Sequence, residues 1–222
     1  MTPDDQLARQ PPFQLPLVTQ TNAQQENAPM VAPEVIMKGT LLGWIFTLGL
    51  LCSAVAAAEP CHSGLPVGQR PGPYSFLVAT GPQRGQQTCY ICEQHDENKP
   101  GVIVFARSLN STLGKLLSQL ESALQPHKNS GCKVWMTLLT DKADLDALAK
   151  WAQQQGLKAC PVGVFEDADG PPSYKLNKEA DVTVIFFTQQ KVVANFAFRP
   201  GELDATAIET VMKSVPRLFD KK

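Results

Sequence analysis

The sequence predicts an α/β domain: a central mixed sheet flanked by helices, with a β-hairpin at its N-terminal end. Three observations predict it. Runs of β-branched and aromatic residues at 74–80, 102–106, 133–139, 162–165, 182–187 and 192–198 are each bounded by turn residues, which marks them as strands. Amphipathic stretches with helical spacing fall among them. The resulting order, β–β–α–β–α–β–β–β–α, contains strand–helix–strand units, whose right-handed crossovers build a parallel core.

Each element has its own reason. Leu109, Leu113, Leu116, Leu117, Leu120 and Leu124 recur at helical spacing and form one apolar stripe after the run at 102–106. In the next helix Asp141 is expected to cap with Asp144 at N3, Leu145, Leu148 and Trp151 supply the apolar contacts, and Gly156 stops it. Asp204 is the expected N-cap of the last helix, whose stripe is Ile208, Val211, Met212 and Val215. Gln189-Gln190 lies between two strong strands and reads as a hairpin turn. Residues 59–73, rich in proline and glycine, read as a linker or an edging arm.

The first quarter of the chain reads differently. Residues 1–36 are proline- and glutamine-rich with no sustained apolar period, so they are expected to stay disordered. Met37-Lys38-Gly39, the apolar run 40–55 and Ala56-Ala57-Ala58 then supply the basic, apolar and small-residue parts of a secretory signal peptide at 37–58. Translation is expected to start at Met37. An uncleaved membrane anchor over 40–58 is the alternative. Either way the domain is expected outside the cytoplasm, periplasmic or extracellular.

Charge narrows the partners. Lysine and arginine total 20 against 21 aspartates and glutamates, so there is no basic excess to neutralise nucleic-acid phosphates. A cofactor is not called for. Of the six cysteines, Cys52 lies in the apolar run, which leaves Cys61, Cys89, Cys92, Cys132 and Cys160 in a compartment where thiols oxidise.

Lys99-Pro100-Gly101 with the run 102–106, the leucine stripe after it, the acidic turn in 162–172 (VGVFEDADGPP) and the hairpin 182–198 together resemble the thioredoxin-like superfamily, in its redoxin or peroxiredoxin-like branch. The resemblance spans roughly 70–222. It implies a reactive cysteine just after the first core strand, where a helix N-terminus favours a thiolate. That place reads Arg107-Ser108-Leu109-Asn110-Ser111-Thr112, without cysteine, and no peroxidatic Pro-x-x-x-Thr-x-x-Cys occurs, so a peroxidase is excluded. The family's cis-proline is also missing at Asp181-Val182-Thr183, where a trans peptide is expected.

The chemistry centres on Cys89-Tyr90-Ile91-Cys92, a CxxC placed ahead of that strand. It is expected at the end of the N-terminal hairpin, with no long helix following it. An exposed pair at this spacing can exchange with a partner protein's dithiol or disulfide. A static disulfide is the competing reading. A metal site of Cys89, Cys92 and His95 with Cys61 or His62 is a third, and haem attachment a fourth, which Glu93 in place of a histidine disfavours. Cys132 and Cys160, each at the entry of a strand joined by one helix, are expected to form a structural disulfide. Cys61 is left to resolve the CxxC or pair elsewhere. Arg107 is expected to pair with a carboxylate, with anion binding as the alternative.

Overall fold

The computed structural model describes residues 59–220. The disordered extension and the signal segment expected at 1–36 and 37–58 lie outside the described residues. Among the described residues no helix is long and apolar enough to cross a membrane.

The elements run β1 (Phe76–Val78), β2 (Gln87–Thr88), α1 (Tyr90–Asp96), β3 (Gly101–Ala106), α2 (Ser111–Leu124), β4 (Lys133–Leu139), α3 (Leu145–Gln154), β5 (Val162–Phe165), β6 (Val182–Thr188), β7 (Lys191–Phe198) and α4 (Ala205–Met212). Seven strands form one sheet in the order β2-β1-β5-β4-β3-β6-β7. β3, β4 and β5 are parallel, while β6 and β1 join them antiparallel from either side. This is the mixed sheet the sequence predicts. The Gln189-Gln190 hairpin also forms, with both residues at positive φ (49° and 60°), the twist that two-residue hairpins favour.

The strand period of two sorts the core into two layers. Val102, Val104, Val134, Met136, Val184 and Phe186 face one side, where α2, α3 and α4 cover them. Ile103, Phe105, Trp135, Ile185 and Phe187 face the other, which is rich in aromatic rings. Among the described residues no long helix covers that second face. α1, residues of the 59–75 segment and Tyr174 cover it instead.

Several expectations are corrected. The stretch at 59–73 is no linker. Leu65 is buried, the Ser63 hydroxyl bonds Thr183 Oγ1 at 2.8 Å, and the Gly68 and Val192 N–H groups donate to Val192 O and Gln69 O. The arm thus runs along β7 and shields part of that edge. Asp144, not Asp141, caps α3, accepting from Ala147 N–H at 2.8 Å. Asp141 instead receives the Ala168 N–H. Asp204 does cap α4, and Asn110 caps α2. The hairpin strands are shorter than the run at 74–80, and a short helix, α1, begins within the CxxC at Tyr90.

Candidate functional site

Cys89 ends the N-terminal hairpin, immediately after β2, and is the N-cap of α1. Its sulfur accepts the Cys92 N–H at 3.3 Å. Cys89 and Cys92 are bonded as a disulfide, with Cα atoms 5.3 Å apart. The two residues between them point inward. Tyr90 and Ile91 are buried, and Tyr90 meets Phe76 and Trp135 edge-on at 5.5 and 5.8 Å. One turn on, the buried Gln94 donates to the carbonyls of Pro100 and Gly131, at the entries of β3 and β4. The two sulfur-bearing residues stay half-buried at the rim of the aromatic layer. A helix of one and a half turns is marginal by itself, so the inward side chains are what hold the motif in place.

Charge surrounds the motif on one side. Lys133 Nζ sits 4.4 Å from the centre of the Tyr90 ring and 2.8 Å from Glu93 Oε2, a cation–π contact closed by an ion pair. Burial, then the Glu93 charge, then Cys160 push the Tyr90 phenol up to about 12. His95, in the last turn of α1, stacks edge-on against Phe187 at 5.8 Å, and its Nε2 is buried without a hydrogen-bond partner. Burial, and next the Arg70 charge, hold its pKa below the usual histidine value.

The other cysteines lie apart. Cys132 and Cys160 are free thiols, so the expected structural bridge is absent. Register is the reason. Met136 pairs with Val162, which sets Cys160 level with Val134, and Cys132 two residues further along. Two residues of rise combined with one strand spacing separate the Cα atoms by roughly 8 Å, beyond the 7 Å or so that a disulfide spans. Both thiols belong to the helix-covered layer, so the sheet itself stands between them and the Cys89–Cys92 pair. Cys61 lines a groove with Asn195, Phe196 and Phe198 of β7, at the opposite edge of the sheet from β2. Phe196 and Phe198 pair with Val184 and Val182, beside the Ala106 end of β3, whereas α1 bonds to Pro100 and Gly131 at the opposite, entry end of β3 and β4. Cys61 therefore does not resolve the CxxC within one chain, and neither Cys61 nor His62 completes a metal site with it. Among the described residues no group of three or more metal-ligating side chains is placed to hold an ion.

Burial pushes the Cys132 thiol from its ordinary 9.0 to about 12, and Cys160 higher still. Only the thiolate alkylates. Timed iodoacetamide labelling of the folded, disulfide-intact protein at pH 8, read by peptide mass, is expected to modify Cys61 first, Cys132 more slowly and Cys160 last. Equal rates at all three would contradict this burial pattern.

The place where the resemblance expects a reactive cysteine is occupied structurally. Among the described residues Arg107, after β3, meets no carboxylate, contrary to the expected pairing. Its guanidinium donates to the carbonyls of Ala180 at 3.0 Å, Asn177 at 3.3 Å and Ala168. It pins the 166–181 loop to the end of the core strand. Ser108 Oγ donates to Asp181 Oδ2 at 2.7 Å beside it, and the Asp181–Val182 peptide is trans. Sequence reading missed this staple. Its only signal was a basic residue directly after a fully apolar strand.

Three solved structures place the fold. A Chlorobium tepidum protein named as a thiol:disulfide interchange protein, DsbE, superposes with a TM-score of 0.54 at 14% identity, over 70% of this chain and 99% of that one. A secreted thiol-disulfide isomerase from Corynebacterium glutamicum gives 0.51 at 14% identity, over 69% and 86%. The thioredoxin domain of a Bacteroides vulgatus thiol-disulfide oxidoreductase gives 0.50 at 15% identity, over 68% and 99%. The chain has a thioredoxin-like α/β fold. No protein-family model and no curated protein matches it.

Proposed function

We propose that the protein is an exported thiol-disulfide oxidoreductase whose reactive pair is Cys89 and Cys92. One observation carries the reading. The two cysteines are bonded, half-buried and set at the start of a helix, with Cys89 Sγ accepting a backbone N–H. That N–H and the helix N-terminus favour a thiolate at Cys89 when the pair is reduced. The Cys89 thiolate attacks a protein disulfide, forming a mixed disulfide and releasing one substrate thiolate. The Cys92 thiolate then attacks Cys89 Sγ, releasing the second. Two electrons pass to the substrate, the CxxC ends oxidised, and the released thiolates take protons from solvent. The exchange uses no cofactor. The names of the structural neighbours support the chemistry, and the signal peptide expected at 37–58 supports an extracytoplasmic site for it.

A second reading, a redox-inert binding or structural module with a static disulfide, draws on the Arg107 staple, which fills the place the resemblance gives to a cysteine. Insulin-disulfide reduction, with dithiothreitol as terminal reductant, separates the two. The first reading expects turnover above the dithiothreitol background, and the second expects none.

A further inference from the structure

We infer that the outer edge of β2 is the substrate dock of this site, and that it takes an extended polypeptide segment carrying a cysteine near a basic residue. The inference rests on the proposed exchange at Cys89. β2 ends the sheet, and among the described residues nothing pairs with its outer side. The Val78 N–H donates to Gln86 O at 3.0 Å, and Thr88 pairs with Phe76. In an antiparallel pair the bonded residues alternate, so the N–H and C=O of the intervening Gln87 point outward. Gln87 is exposed. Cys89, the N-cap of α1, comes directly after β2, two residues on from Gln87. A segment that hydrogen-bonds to both outward groups of Gln87 adds a strand to the sheet, and that strand carries its own cysteine past Cys89.

A second feature selects the occupant. A cleft of about 200 Å³ adjoins Gln87, lined by Ser75, Phe165, Glu166 and Asp167 among others. Glu166 and Asp167 are both exposed, and no lysine or arginine lines the cleft with them. They follow β5, two strand spacings or about 10 Å inward of β2, and complement a long basic side chain that reaches over Gln87 from the docked segment. At the opposite edge the arm at 59–69 already bonds to β7.

The test compares the pre-reduced protein on two oxidants: an extended, lysine-containing peptide disulfide and the small disulfide DTNB. Gln87→Pro removes the outward N–H at an edge position where proline is tolerated, and Gln87→Ala keeps it. The expected result is about a tenfold loss of the peptide rate constant in Gln87→Pro, the fold-change that one unmade hydrogen bond brings. DTNB rates stay unchanged, and Gln87→Ala behaves as wild type on both oxidants. A peptide with N-methylated amides flanking its cysteine loses a similar factor against the wild-type protein, which needs no variant to fold. Replacing the peptide's lysine by glutamate slows it further, and Glu166→Lys reverses that preference. If N-methylation leaves the peptide rate unchanged, or if Gln87→Pro slows DTNB equally, the β2 dock is wrong while the exchange reading stands. If neither oxidant reacts, the exchange reading falls and the dock falls with it.

Discussion

Cys89→Ser is expected to abolish insulin-disulfide reduction, by at least a hundredfold against wild type, while leaving a folded protein. Among the described residues no cysteine outside the pair is placed to replace Cys89. Cys132 and Cys160 lie in the opposite layer with thiols held protonated by burial, and Cys61 is at the far edge of the sheet. The cost in stability is modest because the disulfide closes a loop of only four residues, Cys89 to Cys92. Chain entropy then gives about 2 kcal/mol, a fall in Tm of about 4–8 °C for a domain of this size. Serine offsets part of this, being a stronger N-cap than cysteine. The assay is turnover together with thermal melting. A melting shift with no activity to lose would identify a static disulfide.

Trp135→Ala is expected to cost about 3–5 kcal/mol, the range for deleting a large buried ring. That is a third or more of the stability of an ordinary domain. Trp135 is fully buried on β4. Its Nε1–H donates to the Tyr74 hydroxyl at 2.8 Å, and that hydroxyl lies 2.9 Å from Thr137 Oγ1. Its ring edges meet Tyr90 and Phe187. The substitution therefore opens a cavity, removes one partner of a buried hydroxyl and takes away the wall on which α1 rests. Trp135→Phe keeps a ring and loses the donor, at a cost of about 1 kcal/mol beyond the volume change. Urea unfolding of the three proteins measures both numbers, and near-equal costs for Ala and Phe would contradict the packing argument.

How much of this was legible in the sequence depends on length and register. The five strands β3 to β7 are read correctly because β-branched runs between turn residues carry their own signal, as do the leucines of α2. β2 has two residues and α1 seven, too few for a period to show. What stabilises them lies elsewhere in the chain, in Phe76, Trp135 and the carbonyls of Pro100 and Gly131. The arm at 59–73 has the composition of a linker, but it is fixed by the burial of Leu65 and by Ser63, whose partners Thr183 and Asn177 are more than a hundred residues away. Cys132 and Cys160 show the limit of inferring register. Both stand near strand entries, and an offset of two residues separates them. The CxxC was legible as chemistry. That its middle residues would anchor it to an aromatic layer was not, because Tyr90 and Ile91 belong to a layer assembled from five strands, β1, β3, β4, β6 and β7.

The central claim is that Cys89 and Cys92 exchange electrons reversibly. Equilibration of the protein in glutathione and dithiothreitol redox buffers, with the oxidised fraction read by alkylation and mass, tests it most directly. The account predicts a reduction potential above about −300 mV, where a reversible pair operates. A potential below about −300 mV, in the range of structural disulfides, would contradict it.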